Sequence, residues 1–341
     1  RNSKSTSSIL LCVCCSMILN VIRALWNFFL ILFTSDIQLY PLRSGRQLQS
    51  TNQTLPNESV LIKVGETVDQ STTALFFHIP KAGGTTVQDL TARCLDLIAA
   101  SEVGIGDGHD KDTLLRIVTL EDGSKFVNID ATTIEGLDRA HHLGFQRLKP
   151  AQIVFTGFLP QATTRLFDTK HRASIFSIFR HPTERAMSMF YYLQDAKWEP
   201  TYQSKFKDMT FLGYLKSEYL ERDWIVRNLV GKYTEPLEES DLDVSKHLVT
   251  NYFWVGIISK MEESIDRFGS VFGWKQKHNW LSCFQNFVNY GSNIHTHPEI
   301  HLGREEIEIL EQANFYDLQL YVHALKVFEA QSRYFKDGDE A

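Results

Sequence analysis

The chain has 341 residues and a formal net charge of −6 at pH 7. That balance excludes a polybasic nucleic-acid binder and an acidic tail protein, while the length admits one large α/β domain with appendages. Its five cysteines are too few for a disulfide scaffold.

The most apolar stretch comes first. Residues 9–33 are long enough to cross a bilayer as a helix. Arg23 within it would cost about 2.5–3.5 kcal/mol if centred, unless it snorkels. Arg1 and Lys4 ahead of it favour a cytoplasmic N-terminus, and Arg43 and Arg46 beyond it weaken that asymmetry. The expectation is a single signal anchor, with residues 1–8 as a short cytoplasmic tail. A cleaved signal peptide is the alternative, although the run exceeds the usual apolar core of one. Cys12, Cys14 and Cys15 fall here, as apolar residues or as acylation sites. Residues 34–72 turn to Ser, Thr, Gln and Asn with no sustained period and read as a lumenal stem. They hold two glycosylation triplets, Asn52-Gln53-Thr54 and Asn57-Glu58-Ser59. Residues 73–341 are expected to form the globular domain.

That domain opens on its most informative stretch. Ala74 to Ile79 is a short apolar run of β-prone residues, ended by Pro80, which cannot donate to a sheet ladder. Gly83 and Gly84 allow a sharp turn and close approach to a ligand. Thr85 is placed to cap a helix from about Thr86 to Ala99, with Val87, Leu90, Leu95 and Ile98 buried. Strand, glycine turn and helix start make an anion site, to which Lys81 adds a mobile cation and the threonines add hydroxyls. The Walker A order, with Gly-Lys-Ser/Thr closing the loop on magnesium, is absent because the lysine precedes the glycines.

Two further strands are expected, one from Ala151 to a break at Gly157 and one from Ala173 to Phe179. The second delivers Arg180 at its carboxyl end, where open α/β sheets bind ligands. A helix from about Thr183 to Gln194 then carries Ser188, and an arginine fork plus a hydroxyl suits a phosphate.

His78-Ile-Pro-Lys-Ala-Gly-Gly-Thr-Thr86 resembles the 5′-phosphosulfate loop of the membrane-bound, Golgi-type carbohydrate sulfotransferases, in particular the heparan sulfate O-sulfotransferase group. Arg180-His-Pro-Thr-Glu-Arg-Ala-Met-Ser188 resembles their 3′-phosphate element. The resemblance implies a P-loop-NTPase-like α/β fold, a central parallel sheet flanked by helices and preceded by one transmembrane helix. It implies PAPS (3′-phosphoadenosine 5′-phosphosulfate) as co-substrate, no required metal, and transfer of the sulfuryl group to a carbohydrate hydroxyl in the Golgi lumen. Lys81, Ala82, Gly83, Gly84, Thr85 and Thr86 would grip the 5′-phosphosulfate, Lys81 stabilising the leaving oxygen, while Arg180 and Ser188 take the 3′-phosphate. Arg185 would support the fold. Weaker similarity follows at Arg227-x-Leu-x-Gly231, Val255-Gly256, Met261 to Ser264, and a C-terminal helix near Asn314–Phe328 with Leu318, Val322, Leu325 and Phe328 along one stripe.

The chain departs from its relatives at Phe158, where many carry a histidine. His141 and His142 are the substitutes as general base; a loop or core role is the alternative for the pair. Cys94 and Cys283 are either a disulfide or two buried thiols. His295, His297 and His301 match no standard zinc spacing and read as a loop, and Trp198, Tyr202 and Trp224 line a sugar cleft or pack in the core. A P-loop kinase and a catalytically inactive glycan- or nucleotide-binding relative are the rival functions.

Overall fold

The structure, a computed structural model, describes residues 55–69, 71–197, 202–290 and 302–335. The apolar stretch 9–33, the stem as far as residue 54 with its Asn52 triplet, Trp198, His295, His297 and His301 lie outside these residues. No helix among the described residues is long and apolar enough to cross a membrane.

Seven strands form one sheet in the order β3-β4-β2-β5-β1-β6-β7. They are β1 (Thr73–Phe77), β2 (Ala99–Ala100), β3 (Ile117–Thr119), β4 (Lys125–Val127), β5 (Ile153–Thr156), β6 (Ala173–Phe179) and β7 (Phe253–Ile257). Only the β3–β4 pair is antiparallel. β1 lies between β5 and β6. Every residue of β1, β5, β6 and β7 is buried, as expected of parallel strands covered on both faces.

The helices are α1 (Gly84–Gln88), α2 (Ile134–His142), α3 (Phe145–Leu148), α4 (Leu159–Arg165), α5 (Pro182–Asp195), α6 (Phe211–Leu215), α7 (Trp224–Val230), α8 (Glu239–Tyr252), α9 (Met261–Val271), α10 (Trp280–Tyr290), α11 (Arg304–Ala313) and α12 (Phe315–Gln331). One face of the sheet, through Leu75, Phe77, Val154 and Ile175, packs on residues of α4, α7, α8 and α12. The other, through Phe76, Phe155 and Phe176, packs on α1, α9 and α10.

Several elements differ from the sequence expectation. The packed body starts upstream of Thr73: Val60, Leu61 and Ile62 are buried, and Leu61 bridges Ala173. The helix after the glycines is shorter than expected. Its α-helical part ends at Gln88 and passes into a π-helical turn, Asp89–Cys94. The Thr91 hydroxyl donates to Val87 O at 2.7 Å, competing with the backbone ladder there, and Asp96 adopts a left-handed φ of 52°. Ile98 therefore lies beyond the helix, directly before β2. Cys94 and Cys283 form a disulfide that ties this turn to α10.

The C-terminal helix buries a different stripe from the one expected. Val322 and Leu325 are exposed, whereas Asp317, Leu320, Ala324, Val327, Phe328 and Gln331 face inward. Two polar anchors explain the rotation. The Gln331 side chain accepts from Val255 N (3.0 Å) and donates to Phe253 O (2.7 Å), satisfying the open edge of β7. Asp317 receives the amides of Ile225 and Val226, both at 2.9 Å, at the start of α7.

Candidate functional site

The site is built where β1 and β6, neighbours in the sheet, both end. Lys81 takes a left-handed φ of 65°, and Gly83, at φ 91°, is the N-cap of α1. The cap is thus Gly83 rather than Thr85, because only a residue without Cβ fits. A Cβ there would lie 2.5 Å from Met261 Cε, and one on Gly84 would lie 2.1 Å from His78 Nε2. The loop is clamped between Met261 at the start of α9 and the imidazole that closes β1. Ala82, Gly84 and Thr86 are buried, Lys81 is half-buried and Thr85 is exposed.

Arg180 follows β6 directly, and its Nη1 donates to Lys81 O at 3.0 Å. This bond joins the two elements that the sequence keeps 99 residues apart. Its Nε is buried and has no hydrogen-bond partner, and it stands 3.5 Å from Glu184 Oε2. Ser188 is two turns along α5 and only 3% exposed. The Lys81 ammonium lies 3.7 Å from the centroid of the Tyr192 ring, one further turn along. The sequence elements built around Lys81, Gly83, Gly84, Arg180 and Ser188 therefore meet at one end of the sheet. A buried guanidinium donor without a partner, beside a glycine loop and a second cation, fits an anion with more than one phosphate-like group.

His141 and His142 are elsewhere. Both are exposed at the end of α2; His141 Nδ1 lies 3.1 Å from Arg165 O, at the end of α4, and His142 Nδ1 lies 2.6 Å from Asp138 O. Helices α2 and α4 run back along the parallel sheet, so these ends lie at its amino edge, away from Lys81. No contact joins the pair to Lys81 among the described residues, so its expected role as general base stays a proposal. Phe158 starts α4 with its ring 5.8 Å from that of Tyr233, an aromatic packing role.

The histidine that does stand at the loop is His78. Burial, and then the Lys81 charge, push its pKa down to about 4, so it is neutral at pH 7. Its signal in the sequence is its place, directly after a buried strand and before the proline that ends it. Met261 opens one of the weaker blocks of similarity, but nothing local to it signals its place at the loop, since Gly83 lies 178 residues away.

Trp224 lies at the same end of the sheet, its ring 3.1 Å from a Cβ built on Gly157 and its centroid 6.0 Å from that of Phe77. Tyr202 packs with a satellite cluster around Phe190 and Phe206. Arg185, 1% exposed, bonds Glu221 Oε2 at 2.6 Å. Burial opposes its charge, but Glu221 and Asp317 outweigh that and raise its pKa. This arginine anchors α5. The downstream blocks are also fold elements: Gly231 closes α7 at φ 68°, and the Ser264 hydroxyl receives Ile257 N at 2.9 Å. Among the described residues, no group of three His, Cys, Asp or Glu side chains is arranged to hold a metal ion.

No family model matches the chain, and no curated protein matches it in sequence. Among solved structures it is similar to mouse sulfotransferase SULT7A1 complexed with PAP, at 13% identity and a TM-score of 0.39, over 79% of this chain and 90% of that one.

Proposed function

We propose that this chain is a PAPS-dependent sulfotransferase acting on a carbohydrate hydroxyl, held in the Golgi membrane by residues 9–33 with its globular domain lumenal. The observation that carries the reading is the Arg180–Lys81 bond, which brings the two phosphate elements of the sequence to one site. In this reading Gly83, Gly84, Thr85 and Thr86 hold the 5′-phosphosulfate, and Arg180 and Ser188 hold the 3′-phosphate. The sulfur–oxygen bond to the 5′-phosphate breaks as one to the acceptor oxygen forms, and the hydroxyl proton departs to a base. The chain's part is to align the groups and to neutralise, through Lys81, the charge that collects on the departing phosphate. The disulfide supports an oxidising compartment.

Calorimetry of the full-length chain with PAP, without magnesium and beside ATP, tests this reading. Binding of PAP that is lost in Lys81→Ala and in Arg180→Ala is the expected result. Magnesium-dependent ATP binding with indifference to PAP would replace it with a kinase. A second reading, nucleotide binding without transfer, is favoured by Phe158 and by the placement of the histidine pair. Release of PAP from PAPS in the presence of a polysaccharide acceptor rejects it.

A further inference from the structure

Three residues of α5, Glu184, Ser188 and Tyr192, fall at i, i+4 and i+8 and so share one helix face. Two of them meet the two cations of the site: Tyr192 lies under Lys81, and Glu184 stands beside Arg180. The Glu184 contact is loose. Its oxygen is 3.5 Å from Arg180 Nε, that nitrogen makes no hydrogen bond, and the Glu184 side chain is 54% exposed. A carboxylate that positioned the guanidinium would be hydrogen-bonded to it; one that merely shares its charge can swing into water when a better anion arrives.

We infer that Glu184 is an internal competitor for Arg180, which the 3′-phosphate of the nucleotide must displace on binding. The inference rests on the sulfotransferase reading above and adds a role for a residue that the phosphate-binding pattern does not use. Its consequence is weaker retention of PAP, the product that carries the same 3′-phosphate, so Glu184 limits product affinity without touching the transferring group. Binding shared equally by substrate and product gives no rate advantage once the site is filled, and a residue that lowers it favours release.

The test compares PAP with 5′-AMP, which lacks the 3′-phosphate, on the full-length chain. Glu184→Gln keeps the shape and removes the charge. It is expected to tighten PAP roughly three- to tenfold, the worth of a partly exposed ion pair plus relief of repulsion, and to leave AMP unchanged. Glu66→Gln is the control, since Glu66 is a carboxylate of similar exposure paired with Arg172 at the amino edge of the sheet; it should change neither ligand. Unchanged or weaker PAP binding in Glu184→Gln overturns the inference, as does an equal gain for AMP. If the wild-type chain itself ignores PAP, the nucleotide reading fails and this inference with it. If wild type binds PAP and Lys81→Ala does not, a failure at Glu184 belongs to this inference alone.

Discussion

The glycine loop after β1 and the junction of α7 with α12 are both helix starts, yet they are made in opposite ways. At the loop the chain supplies its own solution within a dozen residues: a strand, a proline, a left-handed lysine and two glycines start a helix with no side-chain cap, beside a cation. At the junction neither helix caps itself. Asp223 receives the amides of Tyr316 and Asp317 at 2.8 and 3.0 Å, while Asp317 receives those of Ile225 and Val226, so each aspartate caps the other's helix across more than 90 residues. Buried Arg185 on α5 donates to Glu221, and its charge is felt by Asp317. The lesson is one of accounting: amides left open at a helix start mark a ligand site, and amides closed by a distant carboxylate mark a structural joint.

The largest expected effect is at the joint. Asp317→Ala leaves two buried amides without acceptors and Arg185 with less counter-charge, and should cost about 3–5 kcal/mol in denaturant unfolding. A loss below about 1 kcal/mol would show that the reciprocal caps are dispensable.

At the loop the expected cost is smaller and more local. Gly84→Ala drives a methyl group into the His78 ring and should cost about 1–3 kcal/mol while abolishing PAP binding. Adding His78→Ala should recover part of the stability, a coupling that a double-mutant cycle measures. Additive losses would place the strain elsewhere.

The smallest effect separates the regions by pH. His78 stays neutral in the folded chain down to about pH 4, whereas the unfolded chain takes up that proton near the ordinary histidine value of 6.5. Its contribution to stability is therefore fully present above about pH 6.5 and lost as pH falls through 4. His78→Phe should make the fall in Tm between pH 7 and 5 shallower, but not flat, because His171 is also lowered to about 4 by burial. An unchanged slope would show that His78 takes up its proton as readily in the folded chain as in the unfolded one.

How much of the site could be read in advance follows the same division. The strand Ala173–Phe179 matches the sequence expectation at both ends, and Pro182–Asp195 matches its helix within one residue, because Arg180 and the proline punctuate them locally. The loop helix does not, since Thr91 and Asp96 end its α-helical course and the Cys94–Cys283 bond ties that end to α10. The surroundings of the histidine pair could not be read from sequence for a topological reason. A helix that returns along a parallel sheet carries its last residues to the edge opposite the loops, and proximity in sequence to the next strand does not reveal this.

By itself, then, the sequence determined the glycine loop after β1, the Arg180–Ser188 helix and the buried strands on either side of them, because backbone constraint, charge and apolar runs act over a few residues. Tertiary structure alone decided that Lys81 and Arg180 meet, that Met261 and His78 clamp the glycines, and that α12 turns Asp317 inward while Val322 faces water. Those outcomes depend on satisfying buried polar groups between segments far apart in the chain. Such groups find their partners only when the sheet is assembled.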